Sequence, residues 1–473
     1  MVGIVAAGIL LLLLPLLLRL WQGHPILMGG EGYGHARIAG IIAERGIPEF
    51  DPAMPERQYR VQTFDLLLAL FAKLVGVEAA ALLLPFLLGL LTIVSLSALV
   101  RALRLPAGVA FGAQLAFVLS PLFVDVFSQA TSRALELFAI TFLFLSLAQS
   151  SSARSQAGRW CWTAAAVVAA ALFASFGMVQ AIAAVALPFL ARSMRRTPAL
   201  SQLAGLAALI VMITVSLPAF LQSESPEFGR QMPVVQAVGD FGGAGGMSLF
   251  AWLLGFIGLI LLWKFKKHYY AAAIGTAAVL IVGLVLPGGV VLAHLLVSYL
   301  AGYSLAFLAS MRWTVEDMRA LTLLVLVCGL LFSTLSHAVA LAKGPPHADI
   351  MEASAVLAQF PIGSLVLSHP DDGFWVAYWS GQQVWLDGWA ADTPDVNRRW
   401  QVAQAVWHAQ DVGRVRPLLQ RNGIDALVIT REMRSGKVWD VPEQDLLFLL
   451  RNNETFKNAH RSSSVDIWAV KGP

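Results

Sequence analysis

The chain has 473 residues, of which 58% are hydrophobic and only 13% charged, an apolar excess that no ordinary soluble domain carries. A formal net charge of +4 would suggest nucleic acid in a soluble protein. Here Lys and Arg gather in short clusters between apolar runs, so they read as topology signals and no nucleic-acid partner is expected. The two cysteines, Cys161 and Cys328, fall inside apolar runs and offer neither a disulfide framework nor a thiolate metal site.

The first apolar run, Val2 to Leu18, lacks the preceding Lys or Arg of a cleaved signal and is expected to remain as an anchor. Runs long enough to cross a hydrocarbon core of about 30 Å follow near residues 2–21, 79–100, 106–124, 132–149, 160–176, 177–192, 201–221, 247–265, 268–287, 289–309 and 319–341. They predict about eleven transmembrane helices. The stretch Phe64 to Val77 is shorter and carries Asp65 and Lys73, which predicts an interfacial helix.

With the N-terminus inside, the clusters Arg101/Arg104, Arg154/Arg159, Arg192/Arg195/Arg196, Lys264/Lys266/Lys267 and Arg312/Arg319 all fall on the cytoplasmic side. Arg19 is the exception, at an outer end where snorkelling would place its charge in water. Three segments are then external: the loop of residues 22–78, the loop of residues 222–246, and everything from about Lys343. In the last segment, strand-like stretches (GSLVLSH, DALVIT, SVDIWAV) alternate with helix-like ones such as AVWHAQDVGRVRPLLQ, the pattern of a small α/β domain. The expectation is a polytopic α-helical membrane protein of the plasma membrane. A transmembrane domain would occupy 1–342, and a soluble α/β domain on the external face 343–473.

Four polar stretches interrupt this pattern. In GGEGYGHARIAG, residues 29–40, the glycines are expected to hold Glu31 and Tyr33 in a loop, with His35 and Arg37 opening a short amphipathic helix. A carboxylate there suits general-base work or a hard cation, and Arg37 with His35 suits a phosphate. A solvated loop followed by a helix lying on the membrane is the plainer alternative. Residues 120–138 place Asp125, Arg133 and Glu136 at the outer mouth of two spans, where Glu136 is one turn from Arg133 and positioned to pair with it. The loop of residues 223–246 ends in glycines and offers Glu224, Glu227, Arg230 and Asp240 as polar contacts. In residues 368–394, Asp371, Asp372, Asp387 and Asp392 interleave with Trp375, Trp379, Trp385 and Trp389. Such pairs serve sugar stacking, a membrane-interface anchor or a core equally well.

Taken in order, these pieces resemble the GT-C membrane glycosyltransferases, most of all the catalytic subunit of oligosaccharyltransferase and its prokaryotic relatives. In that group the first external loop carries an acidic residue followed by Tyr, His and Arg and then Phe-Asp-Pro. Glu31, Tyr33, His35, Arg37 and Phe50-Asp51-Pro52 stand in that order here. The family's Trp-Trp-Asp-Tyr-Gly motif aligns with Ser368 to Trp375, keeping Asp371 and Gly373 and lacking both tryptophans and the tyrosine. The family's usual Asp is Glu31 here.

The resemblance implies transfer of a sugar or oligosaccharide from a polyprenyl phosphate or diphosphate to an external protein or glycan acceptor, with membrane lipids holding the donor tail. It implies Glu31 and Asp125 as catalytic residues and as ligands of Mg²⁺ or Mn²⁺, which oligosaccharyltransferases use and many other GT-C enzymes do not. Tyr33, His35 and Arg37 would bind the donor phosphate. Asp371, Asp372, Gly373, Trp375 and Asp387 would bind the acceptor, whose identity does not carry over. A non-catalytic protein of this fold that binds lipid-linked glycan or assists a partner enzyme stays open. A transporter is disfavoured, because the spans hold few charges and no paired broken helices.

Overall fold

The computed structural model describes residues 2–153, 155–174, 238–241, 246–264, 277, 280–281, 290–389, 392–441 and 444–471. Its membrane-spanning part is helical because the apolar runs are long and nearly free of charge, so only a helix satisfies their backbone without water. Among the described residues, five helices are long and apolar enough to cross a membrane: α1 (Val2–Gln22), α4 (Val77–Ala102), α7 (Ser132–Ser152), α10 (Val290–Ser310) and α11 (Glu316–Lys343). The run expected as one span near 106–124 is two helices, α5 (Ala107–Val118) and α6 (Pro121–Ser128), bent by 57°. Pro121 opens the second helix, and its missing N–H and ring prevent the first from continuing through it. The expected spans 177–192 and 201–221 lie outside the described residues, as does most of 268–287. The helices α8 (Gln156–Ala174) and α9 (Leu249–Lys264) stand where runs 160–176 and 247–265 were expected.

Between α1 and α4 lie α2 (Glu31–Arg45), a hairpin of β1 (Phe50–Asp51) and β2 (Met54–Gln58), and α3 (Thr63–Val75). Gly46 (φ +88°) ends α2 and Gly76 (φ +85°) separates α3 from α4, both at a φ that suits glycine. The helix expected at the interface is α3, and it has two faces. Phe64, Asp65, Leu68, Ala69 and Ala72 are buried, whereas Leu66, Leu70 and Leu74 are exposed. Asp65 therefore faces protein and not the membrane surface.

Arg19 does not snorkel outward as expected; it is fully buried. Its guanidinium donates to the carbonyls of Pro25 (2.7 Å), Ala342 (3.3 Å), Gly344 (2.8 Å) and Pro346 (2.7 Å). The carbonyls that α11 leaves without helical partners at its C-terminus are thus tied to the end of α1.

From residue 350 the chain folds as a mixed sheet flanked by helices. The sheet order is β4-β3-β5-β7-β6, with β3 (Leu365–Leu367) parallel to both β4 (Gln383–Val384) and β5 (Ile424–Thr430). The strands β6 (Phe456–Arg461) and β7 (Val465–Val470) complete it in antiparallel fashion. The helices are α12 (Ile350–Leu357), α13 (Pro370–Ser380), α14 (Val396–Trp407), α15 (Val412–Arg421) and α16 (Leu446–Leu449). The three predicted strands are β3, β5 and β7. The long predicted helix is broken into α14 and α15, where Asp411 accepts from the backbone N–H of Gly413 and starts a new helix.

Two apolar cores flank the sheet. One joins Trp375, Ala426, Val428 and Ile467 to Tyr33, Phe64 and the membrane helices. The other packs Leu427, Ile429 and Trp468 against Trp407, Val415 and Leu419. The hairpin is pinned to the sheet edge by a backbone hydrogen bond from Val384 N–H to the Ala53 carbonyl (2.9 Å).

Candidate active site

The GGEGYG stretch is helical from Glu31 onward, not the loop expected from its glycines. The glycines serve close approach. A Cβ on Gly30 would lie 2.5 Å from the Asp371 carbonyl oxygen, and one on Gly34 would lie 2.7 Å from the Phe374 ring. The N-terminal turns of α2 and α13 are therefore in contact, which brings Glu31 and Asp371 to neighbouring positions. Pro370 and the side chain of His369, which accepts from the Asp371 N–H, start α13.

His35 is fully buried, with one ring nitrogen toward each of two carboxylates: Nδ1 is 2.6 Å from Asp65 and Nε2 is 3.4 Å from Glu31. Tyr59 donates its hydroxyl to the second Asp65 oxygen at 2.7 Å. Burial alone would discharge the imidazole, but the charge and hydrogen bond of Asp65, with help from Glu31, raise it to about 10. Burial likewise opposes ionisation of Glu31. The hydrogen bond from His35 and the positive charge of Arg133 overcome it and hold the carboxyl at about 2.

Glu31 keeps 28% of its side chain exposed. From α7, Arg133 extends one terminal nitrogen to within 3.4 Å of Glu31 and the other to within 3.8 Å of Asp125 on α6. Asp125 also accepts from Gln129 at 2.6 Å and lies 3.4 Å from His337 of α11. The sequence therefore named Glu31 and Asp125 as one site, and the structure brings them to the same guanidinium. The expected Arg133–Glu136 pairing is replaced: Glu136 is buried, and its Oε1 has no hydrogen-bond partner among the described residues.

The residues expected at the donor phosphate are otherwise engaged. Arg37 forks onto Asp51 (2.5 and 2.8 Å). Arg57 bridges the same Asp51 (2.6 Å) to Asp387 (2.5 and 2.7 Å). This buried chain ties α2, the hairpin and the turn after β4 together, and the two guanidinium groups hold Asp51 far below the ordinary carboxylate range against its burial. Tyr33 is buried, donates to the Leu27 carbonyl (2.9 Å) and packs against Trp379.

Of the residues expected to bind acceptor, four are interior. Asp387 is held by Arg57. Asp372 accepts from Thr430 (3.1 Å) and from the Trp375 indole (3.3 Å), and burial pushes its carboxyl up to about 6. Trp375 is 1% exposed. Gly373 abuts the Leu386 carbonyl, which a Cβ would approach to 2.3 Å. Asp371 alone is open, with 65% of its side chain exposed and Lys437 2.6 Å away. The loop of residues 223–246, expected to be external, lies mostly outside the described residues; within it, Asp240 caps α9 at the Leu249 N–H.

Sequence reasoning missed Asp65 and Arg57 as partners. Asp65 carried a signal, since an acidic residue in an apolar helix usually faces a partner. Arg57 carried none.

The expected metal ligands do not fit Mg²⁺ or Mn²⁺. Those ions need several oxygens converging on one point, whereas Glu31 and Asp125 converge on a guanidinium. Among the described residues no group of three or more His, Cys, Asp or Glu side chains is placed to hold a metal ion.

No family model matches the sequence and no curated protein matches it, but solved structures do match the fold. The apo oligosaccharyltransferase of Archaeoglobus fulgidus aligns with a TM-score of 0.69 at 12% identity, covering 97% of this chain and 72% of that one. ArnT from Cupriavidus metallidurans, bound to undecaprenyl phosphate, aligns at 0.59 with 16% identity over 99% of this chain and 97% of its own. The mycobacterial arabinofuranosyltransferase AftD aligns at 0.58 with 17% identity, covering 100% of this chain and 42% of that one. All are GT-C glycosyltransferases, so the chain has the GT-C fold, and five of its described helices are long and apolar enough to cross a membrane. The family resemblance read from the sequence is therefore matched at the level of fold.

Proposed function

We propose that this chain is a membrane glycosyltransferase that moves a sugar from a polyprenyl-phosphate-linked donor to an external protein or glycan acceptor. The observation that carries this reading is Glu31: an ionised carboxylate, partly open, anchored by a buried His35–Asp65 pair where α2, α7 and α13 meet in a GT-C fold. The Archaeoglobus fulgidus enzyme in complex with a dolichol-phosphate and an inhibitory peptide aligns over 97% of this chain with a TM-score of 0.65, which supports a lipid-phosphate donor.

A carboxyl held near 2 is a poor proton acceptor at neutral pH. Glu31 therefore accepts a hydrogen bond from the acceptor nucleophile and orients it. Asp371, the open acidic group on the adjoining helix, lies on the acceptor side. The region from residue 343 then faces outside, with the donor lipid in the bilayer and Leu66, Leu70 and Leu74 of α3 toward the acyl chains.

The test is transfer of labelled sugar from a polyprenyl-phosphate donor by purified protein. Glu31→Gln, which keeps size and hydrogen-bonding capacity, is expected to lower the rate on the order of a hundredfold. Equal rates for wild type and variant would remove Glu31 from the mechanism. Donor binding without turnover by the wild type would make the protein a non-catalytic binder of lipid-linked glycan.

A further inference from the structure

The disagreement between the expected metal ligands and their surroundings points to a specific role for Arg133. We infer that its guanidinium takes the place of a divalent cation beside Glu31 and Asp125, so that the site carries a cation fixed by the fold. Three observations support this. The terminal nitrogens address one carboxylate each, at 3.4 Å and 3.8 Å, so the position between the acidic pair is already held by a cation that cannot lose its charge. Asp125 also accepts a hydrogen bond from Gln129 and lies near His337, and Glu31 faces His35. The Arg133 side chain is nonetheless 43% exposed, so the guanidinium is positioned by protein yet open to an incoming anion.

His35 is paired with Asp65 at 2.6 Å, which leaves Arg133 as the cation shared by Glu31 and Asp125. Arg133 has hydrogen-bonding capacity left over, because a guanidinium has five N–H donors and its two carboxylate contacts are long.

On the glycosyltransferase reading proposed above, the bond from the anomeric carbon to phosphate oxygen breaks with both electrons passing to that oxygen. The acceptor atom bonds the anomeric carbon, and its proton passes to the departing phosphate. The charge that develops on the phosphate is met by Arg133, which suits a fork of planar N–H donors.

The test has two arms, one of which is independent of turnover. Mn²⁺ binding to the purified full chain is read by electron paramagnetic resonance for wild type, Arg133→Met, Arg133→Gln, Arg133→Lys and the double variant Arg133→Met/Glu31→Gln. Wild type and Arg133→Lys are expected to leave Mn²⁺ free. Arg133→Met and Arg133→Gln are expected to bind it, and the double variant to lose it again. Glu31-dependent Mn²⁺ binding by the wild type overturns the inference, as does failure of both uncharged variants, folded as judged by size-exclusion elution, to bind. In the second arm, wild-type transfer is expected to persist in excess chelator, and Arg133→Met to fall on the order of a hundredfold. If no protein transfers sugar, the function proposed above fails while the metal-binding arm still decides the role of Arg133.

Discussion

At the scale of single residues, the Asp65–His35–Glu31 line sets what the candidate site can do. His35 is raised from 6.5 to about 10 in the folded chain, so its contribution to stability is full below pH 6.5 and is lost as pH rises through 10. Glu31 is lowered from 4.5 to about 2, so its contribution is present above 4.5 and is lost as pH falls toward 2. The melting temperature of wild type is therefore expected to decline between pH 7 and pH 10. In His35→Gln, measured under the same conditions, that alkaline decline should be smaller. Asp65→Asn leaves His35 without its buried counter-charge and is expected to cost about 3–5 kcal/mol, seen as a lower midpoint in thermal unfolding followed by tryptophan fluorescence. An unchanged midpoint would mean that Asp65 does not anchor the site.

At the scale of elements, the local pattern revealed what depends on neighbours along the chain. The strands β3, β5 and β7 were legible because each is an apolar, β-branched run bounded by turn residues. The membrane helices were legible by length and composition. The α5–α6 bend was not read from Pro121, although a proline there removes the continuity that an apolar run suggests. Glu31, Asp125 and Asp371 stood out as candidates because charged residues are rare in such a chain. The pairing of Arg37 with Asp51, and of Arg57 with Asp387 across 330 residues, was not, because nothing in the spacing says which partner a long-range fold will supply. For the same reason Asp372, Trp375 and Asp387 looked like a sugar-binding surface and proved to be interior. The glycines mark a similar boundary: GGEGYG was read as a helix breaker, whereas its composition serves the contact between α2 and α13. Gly373 of α13 is packed as tightly against the turn after β4, since the obstacle 2.3 Å from its notional Cβ is the Leu386 backbone carbonyl, which cannot swing aside. Gly373→Ala is expected to destabilise by about 1–3 kcal/mol, measured as a lower thermal midpoint, and to leave Mn²⁺ binding unchanged. A variant as stable as wild type would mean that the turn after β4 yields freely.

At the scale of the whole molecule, the sheet-bearing region and the membrane helices share a continuous apolar core through α2 and α13, so the orientation of one fixes that of the other. If the loop holding Arg104 lies inside, as the clusters of Lys and Arg predict, and α4 crosses the bilayer once, its other end, next to α2 and α3, is outside. The sheet must then lie outside with it, where a donor whose lipid tail stays in the bilayer can meet an external acceptor. This is checked by labelling. Cys161 and Cys328 are both exposed, so each is first replaced by Ser, and single cysteines are then introduced as Glu454→Cys and Arg104→Cys, both at exposed positions. A membrane-impermeant maleimide applied to intact cells is expected to modify the cysteine at 454 directly and the one at 104 only after permeabilisation. The reverse pattern would invert the molecule. Because Glu31, Arg133 and Asp371 sit on the same side as residue 454, it would also move the candidate site to the cytoplasmic face, where a nucleotide-linked sugar would be as accessible a donor as a lipid-linked one.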